Sequence, residues 1–536
     1  MSTSEVGMQR LTRALVLLAA CCGAAMAADE PRLEPGKAVS GQASATSSPA
    51  WQLSLEAGDL VRGRLDGDVS LRLLDAQGKP LRLLIDGLDQ PREFLFVAGQ
   101  AGRYLMRTEA LAIRPNERFN LRLDQVLPVA EQRKRPVTLA SPTLRMLSGA
   151  LAKGESTDAF WTARGVDGTP MVEAIPGHPD QRLVTFLWRG ARDNVRMFGA
   201  PTGNHESLQR LGQSDVWYRS FEVPAATRLS YQMAADVPVS DDRRMILATT
   251  RRDPLNPNTF ADGSGDPWLS RSRLELPDAA PQPWVAVREG VSRGSLERKR
   301  LASRLLGNER DIYLYRPAGW RPGKADQGLL VLFDAHAYTR QVPTPTILDN
   351  LIADGLIPPT AAIIIANPSD LSRQQELPPN PLFARFMAEE LMPWARQQGL
   401  ATSAARTVVA GSSYGGLASA YMGLKHPELF GNVLSLSGSY WWAQEGDEPG
   451  WLTREYVKAP RKPLRFYLQS GLFEGPRILD TNRHLRDVLL AKGYAVEQVE
   501  YPAGHDYLQW RGSLPCGLIS LIGHGTQTQA QACVPK

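Results

Sequence analysis

The sequence is poor in cysteine, in runs of one charge and in long apolar stretches, and each shortage removes a class of protein. Four cysteines in 536 residues, Cys21, Cys22, Cys516 and Cys533, cannot staple a disulfide scaffold, and no second Cys/His pair stands beside them at zinc-ligand spacing. Lys and Arg number 61 against 56 Asp and Glu, a net charge of +5, and no basic run is interleaved with aromatics, so a nucleic-acid partner is not indicated. Hydrophobic residues at 43% and charged residues at 22% are ordinary globular usage, which excludes a largely disordered, collagenous or multi-span membrane chain. At about 150 residues per domain the length allows three or four domains and a sizeable core.

What is present begins with an export signal. Arg10 and Arg13 precede the apolar stretch Ala14 to Ala20, and small residues continue to Ala25-Met26-Ala27, the order of n-region, h-region and cleavage site. The stretch is shorter than the roughly 20 apolar residues of a membrane span. Two cleavage sites compete. Cutting after Ala27 releases a soluble chain. Cutting after Ala20, within Leu18-Ala19-Ala20-Cys21, leaves lipid on Cys21 and a membrane tether. Either way the expected location is periplasmic. After the first cut only Cys516 and Cys533 remain, and an oxidising compartment permits them to pair across the C-terminal tail.

The mature chain reads as three regions. Over 28–130 the apolar pattern has period two: Trp51, Leu53, Leu55, then Val69, Leu71, Leu73, then Phe94, Phe96, then Phe119, Leu121, Leu123. Turn signals at 56–59, 75–78 and 99–102 separate these strands, which predicts an antiparallel sandwich serving as a spacer or docking module. A basic linker, Glu131 to Pro136, follows. The second region, 136–285, also reads mostly β, with Val184-Thr185-Phe186-Leu187-Trp188 and Val216 to Phe221 as aromatic-rich strands. Over 287–536 short buried runs alternate with helical segments. The runs are Leu329 to Phe333, Ala361 to Ile365, Thr407 to Ala410, Val433 to Leu436, Leu464 to Leu468 and Val496 to Tyr501; the helical patterns include Phe383 to Arg396, Leu417 to Lys425 and Asn482 to Ala491. The whole is expected to be a C-terminal α/β-hydrolase domain preceded by two mostly β, sandwich-like domains.

Gly411-Ser412-Ser413-Tyr414-Gly415 fits G-x-S-x-G between a buried strand and a helical face, the setting of a nucleophile elbow. The glycines Gly411, Gly415 and Gly416 let backbones approach closely and allow positive φ. Such a turn holds the Ser413 hydroxyl above the sheet and offers the Tyr414 N–H to a developing oxyanion. A serine needs a base, and the base an orienting carboxylate. Of the four histidines that follow, His426, His484 and His524 read as surface or packing residues. His505 lies in the loop directly after the strand Val496 to Tyr501, where a catalytic histidine is expected. Glu474 is the first carboxylate after the preceding strand; Asp480, Asp506 and an acid-free dyad remain open. The second oxyanion donor is assigned to the backbone of Ala335 or His336, after the strand Leu329 to Phe333.

These residues resemble the enterochelin (ferric enterobactin) esterase family in several separated segments. They are Val408 to Leu417, Leu436-Ser437-Gly438-Ser439-Tyr440-Trp441-Trp442, Gly504-His505-Asp506 with Trp510-Arg511-Gly512, Arg373 with Glu376-Leu377-Pro378 and Asn380, and Val184 to Arg189 with Asp253-Pro254-Leu255-Asn256-Pro257. The resemblance covers about Asp180 to Ile522 and leaves out the first β region. It implies Ser413 as nucleophile, His505 as base and Glu474 as acid. The implied substrate is a catecholate siderophore cut at the esters of its tri-serine lactone. No cofactor is implied, since iron enters as substrate cargo. Arg373, Trp441 and Trp442 are the residues expected to meet such an aromatic anion, the alternative being core tryptophans and an Arg373–Glu376 pair. The signal and the added β module depart from the family's cytoplasmic member. They leave open a general exported carboxylesterase or acyltransferase on aryl esters, or a carrier that holds ferric siderophore without cutting it.

Overall fold

A computed structural model describes residues 30–88, 92–132, 139–238, 242–524 and 533. The segment expected to direct export, with Arg10, Arg13, Cys21, Cys22 and Ala27, and the linker residues 133–136 lie outside the described residues. The chain divides into two compact units, residues 1–136 and 137–536, so the boundary expected near residue 286 falls inside the second unit.

In the first unit, period-two leucines and aromatics place one face of each strand inward. Two four-stranded antiparallel sheets result. One is ordered Ala38–Ser44, Asn116–Leu127, Leu60–Asp66, Glu93–Val97; the other Ala50–Leu55, Gly102–Ala110, Val69–Asp75, Pro80–Ile85. They share one core of residues such as Trp51, Leu53, Met106, Val61, Phe94 and Leu121. The strands Leu60–Asp66 and Gly102–Ala110 were not among the sequence expectations, because glycine or alternating arginine breaks their apolar period.

The second unit holds two eight-stranded sheets. The first is antiparallel throughout and is preceded by the helices Pro142–Leu151 and Asp158–Asp167, which the mostly β reading of this region does not place. The Asp-Pro-Leu-Asn-Pro segment is a structural device within it. Buried Asp253 accepts hydrogen bonds from Thr169 Oγ1 (2.7 Å), Tyr231 Oη (2.8 Å) and the Leu255 N–H (3.0 Å), while Asn256 Nδ2 donates to Tyr231 Oη and to the Arg273 carbonyl. Burial pushes the Asp253 carboxyl above its ordinary value against these donors.

The second sheet runs Ser295–Ser303, Asn308–Arg316, Thr360–Ile365, Gly328–Leu332, Thr407–Ser412, Asn432–Leu436, Arg465–Gly471, Ala495–Tyr501. The first two strands form an antiparallel hairpin; the remaining six are mutually parallel. Continuous apolar runs such as Leu329 to Leu332 are needed here because helices cover both faces, and two buried cores lie on opposite sides of the sheet. The loops after the parallel strands therefore gather at one end.

Cys516 and Cys533 form a disulfide, with Cα atoms 5.6 Å apart. Among the described residues no helix is long and apolar enough to cross a membrane.

One buried ion pair ties the hairpin to the middle of the domain. The fully buried Arg310 guanidinium donates to both oxygens of Glu376 (2.9 and 2.8 Å) and stacks 4.8 Å above Phe386. Truncating one partner leaves the other charge buried and unpaired. Glu376→Ala should lower unfolding free energy by about 3–5 kcal/mol, read from urea denaturation, whereas replacing both residues with apolar ones of similar volume should cost much less.

Candidate active site

The elbow is built by sterics. Ser413 follows the strand Thr407–Ser412 at φ 58°, ψ −119°, and the helix Tyr414–Lys425 begins at the next residue. A non-glycine residue in this region carries strain of order 1–3 kcal/mol and persists only where its surroundings hold it. Here the Ser413 N–H donates to the Leu436 carbonyl (2.9 Å) and the Ser413 carbonyl accepts from Ser439 N–H (3.1 Å). The glycines act by close approach rather than by positive φ. A Cβ on Gly411 would stand 2.6 Å from the Gly415 carbonyl carbon, and one on Gly416 would stand 2.6 Å from Ser435 Oγ. The positive φ sits on Ser413 itself, which corrects the expectation for the glycines.

Glu474 and His505 come from the loops after adjacent strands, Arg465–Gly471 and Ala495–Tyr501. The two side chains meet, with His505 Nδ1 donating to Glu474 Oε1 at 2.7 Å. The other carboxylate oxygen accepts the Gly471 N–H at 2.8 Å. The Glu474 side chain is wholly buried, whereas that of His505 is 39% exposed. Trp510 closes the other flank. Its ring meets the imidazole edge-on at 4.7 Å, and its Nε1–H donates to Ser437 Oγ (3.0 Å), just past the end of the strand beside the elbow. Ser413, Glu474 and His505 thus lie at one end of one sheet, after neighbouring parallel strands. Ser413 Oγ itself is 3.3 Å from Ser439 Oγ, its hydrogen-bond partner among the described residues.

The other acidic candidates are employed elsewhere. Asp480 is exposed beside Arg483, and Asp506 caps the helix Tyr507–Ile522 through the Leu508 N–H. His426 pairs with Glu428, and His336 is exposed beside Arg340.

The two assigned backbone donors open neighbouring helices. Tyr414 is the first residue of the elbow helix and Ala335 the first of the short helix Ala335–Tyr338, positions whose N–H groups have no intrahelical acceptor. The loops touch: a Cβ on Gly415 would lie 3.4 Å from Asp334 Oδ2 and 3.5 Å from Phe333 Cβ. Asp334, at φ 59°, is fixed by Arg373, whose Nε and Nη2 donate to its two oxygens (2.6 and 2.8 Å), and by Asn367 Nδ2 (2.8 Å).

This revises the expected part of Arg373. It neither pairs with Glu376, which belongs to Arg310, nor offers a free fork to a substrate; it holds the turn that carries Ala335. Burial works against its charge, but the bonds to Asp334 prevail and hold its proton more firmly than usual. Trp441 stands beside the elbow, 6.0 Å from the Tyr414 ring, with the Arg477 guanidinium 3.5 Å over its face. Trp442, whose N–H closes a turn on the Ser439 carbonyl (3.0 Å), packs edge-on against Trp451 at the core, which corrects its expected place among substrate contacts. Sequence reasoning assigned no role to Ser439 or Asp334. Ser439 lies inside a segment it quoted and Asp334 directly after one, yet only the fold gives them partners.

Comparison with known proteins accords with this geometry. The family model named Esterase matches residues 303–521, and that described as "Enterochelin esterase, N-terminal" matches residues 183–285. The iron(III) enterobactin esterase of Dickeya dadantii is 31% identical over 415 residues, 68% of this chain and 93% of the relative. The chain belongs to the enterochelin esterase family. It is a carboxylic ester hydrolase. The iron(III) salmochelin esterase of Escherichia coli is 29% identical over 422 residues, covering 73% of this chain and 99% of that one. The crystal structure of the Shigella flexneri enterobactin esterase in the presence of enterobactin superposes with a TM-score of 0.55 at 30% identity, covering 68% of this chain and 97% of that one. Neither family model reaches the first β unit. Among the described residues no group of three or more His, Cys, Asp or Glu is arranged to hold a metal ion.

Because Arg373 is 26% exposed, breaking its pair should cost less than a fully buried one, about 2 kcal/mol for Arg373→Met. The double variant with Asp334→Asn should recover part of that loss. A thermodynamic cycle measured by denaturation reads the coupling.

Proposed function

We propose that this chain is an exported serine esterase of the α/β-hydrolase kind that opens the ester bonds of tri-serine lactone catecholate siderophores, enterobactin-like and with iron as cargo. The observation that carries the reading is the buried Glu474 carboxylate holding His505 by Nδ1 at the sheet end that bears the strained Ser413 turn, in a chain of this family. Siderophore esterases among its relatives, and the structure of one in the presence of enterobactin, support the choice of substrate.

In the mechanism, Ser413 Oγ gives up its contact with Ser439 and attacks the ester carbonyl while His505 Nε2 takes its proton. Charge on the carbonyl oxygen falls between the N–H groups of Tyr414 and Ala335. Collapse of the tetrahedral adduct breaks the bond to the leaving serine oxygen, which receives the proton from His505 and leaves as a hydroxyl. Water, deprotonated by His505, then attacks the acyl-enzyme; the acid is released and Ser413 regains its proton. Glu474 keeps Nδ1 protonated and stabilises the imidazolium formed twice in the cycle.

Periplasmic residence is the second part of the proposal. It is supported by Arg10, Arg13 and the apolar run before Ala27, and by the Cys516–Cys533 disulfide, which an oxidising compartment sustains. Cell fractionation should find the chain outside the cytoplasm. The mass of its mature N-terminus separates a start at Ala28 from lipid on Cys21.

Mass analysis of ferric and iron-free enterobactin after incubation should give linear trimer, dimer and monomer, and Ser413→Ala should give none. Intact lactone with wild-type enzyme would refute the substrate. Glu474→Gln should lower kcat by about 10²- to 10⁴-fold with KM little changed, since orienting the base acts on the transition state.

A further inference from the structure

A cavity of about 360 Å³ opens between the antiparallel sheet and the catalytic loop, lined by Ser230, Gln232, Arg271, Gln341, His505 and Asp506 among others. Both walls belong to the second compact unit. They are bonded together beside the imidazole: the Asp506 carboxylate accepts the Ser230 N–H at 2.5 Å, and the Arg228 N–H donates to the Pro502 carbonyl at 3.0 Å. The region that precedes the hydrolase sheet therefore supplies one side of a chamber that contains His505.

Arg271, like Arg511 on Gln282 Oε1, differs from the other inward-turned arginines of this unit in its partners. Arg228, Arg310 and Arg373 each bind a carboxylate directly. Arg271 binds only neutral oxygens: Nε donates to Ser230 Oγ (2.7 Å), Nη2 to the Ser230 carbonyl (3.1 Å) and Nη1 to Gln232 Oε1 (3.3 Å). Three of its five N–H groups are thereby used, leaving one on each terminal nitrogen. The nearby carboxylate of Asp506 is spent, one oxygen on Leu508 N–H and the other on Ser230 N–H. The backbone makes room for the guanidinium. Gly199 has φ 86°, and a Cβ there would stand 2.9 Å from Arg271 Nη2 and 2.3 Å from the Ser230 carbonyl. Burial pulls the Arg271 pKa below its ordinary value, opposed by the field of Asp506, which is the direction expected of a cation lacking a close counter-charge. An arginine remains charged even so. A fixed guanidinium with two spare donors, facing a cavity shared with the base, matches the needs of a planar oxyanion.

We infer that Arg271 forms an anion subsite of the active site, binding an anionic oxygen of the substrate and making the antiparallel sheet a specificity element. The inference rests on the proposed ester hydrolysis at Ser413 and adds to it the charge of the preferred substrate. The anionic oxygen has two sources in a catecholate siderophore, an ionised ring hydroxyl or the carboxylate exposed once the lactone is opened.

The test is titration calorimetry of the full chain with 2,3-dihydroxybenzoylserine, which requires no turnover, alongside kcat/KM for the neutral ester p-nitrophenyl butyrate. Arg271→Gln should raise Kd about tenfold or more, exceeding any loss on the neutral ester by a similar factor. Gln232→Glu, which keeps the arginine but sets a carboxylate against Nη1, should weaken binding in the same direction, and Arg271→Lys should restore part of the affinity. Repeating the titration with the serinamide identifies the source. If only the acid loses affinity in Arg271→Gln, the carboxylate is held; if acid and amide lose equally, a ring oxygen is. Unchanged Kd in both Arg271→Gln and Gln232→Glu overturns the subsite, as does a parallel loss on the neutral ester. Wild-type enzyme that binds the probe yet leaves enterobactin intact would refute the proposed substrate while the subsite is still read from the variants.

Discussion

The end of the sheet that bears Ser413 and His505 depends on one carboxylate taken wholly out of water. A buried Glu474 must satisfy both oxygens, and the partners available are the Gly471 N–H of its own turn and Nδ1 of His505. Since those loops follow adjacent parallel strands, satisfying the carboxylate fixes both loops at once. Trp510 then leaves the imidazole little room to tilt, and its own N–H reaches the turn beyond the neighbouring strand through Ser437. The position of the imidazole thus follows from a desolvation problem solved in one way.

The antiparallel sheet supports this arrangement from outside. Ser230 holds Asp506, Arg228 holds Pro502, and Gln282 accepts from Arg511 and donates to the Leu508 carbonyl. Gly203 passes so close to the Glu474 turn that a Cβ would meet the Phe473 carbonyl at 2.8 Å. Two regions of sequence that match separate family models are therefore one mechanical body around His505. The first β unit carries its own core and stands outside both models, and a fold of that kind assigns no function by itself.

Buried charge in the second unit is handled in three ways. Arg310 with Glu376 and Arg373 with Asp334 are two-pronged pairs that pin segments of the hydrolase domain. The first ties the edge hairpin to the helix Asp370–Glu376; the second, from the same helix, fixes the turn before Ala335. Asp253 is met by neutral donors and locks the Asp-Pro-Leu-Asn-Pro turn. Arg271 meets only neutral acceptors, and it lies where the chamber reaches the imidazole. The distribution separates charges that hold the protein together from one that faces a ligand space.

Several features were legible from the order of residues alone. Continuous apolar runs marked the inner parallel strands, because a strand covered on both faces has no polar side to show, while the edge strand Ala495–Tyr501 carries Glu497, Gln498 and Glu500. G-x-S-x-G between such a run and a helical face marked the elbow, and the residues following the last two runs marked Glu474 and His505, because parallel strands deliver their ends to one edge. Local pattern could not reveal the helices before the antiparallel sheet, the inward turn of Trp442, or the partner of Arg373. Which carboxylate an arginine meets depends on loops dozens of residues apart arriving at one place, and Asp334, thirty-nine positions before Arg373, bears no local mark of it. The sequence by itself determined the strand periods, the elbow turn and which residues follow the strands at that sheet end, since these are set by side-chain chemistry and short-range backbone geometry. Only the tertiary structure decided which charges neutralise one another and which one is left facing a cavity, since that is a matter of distance between segments that share no sequence neighbourhood.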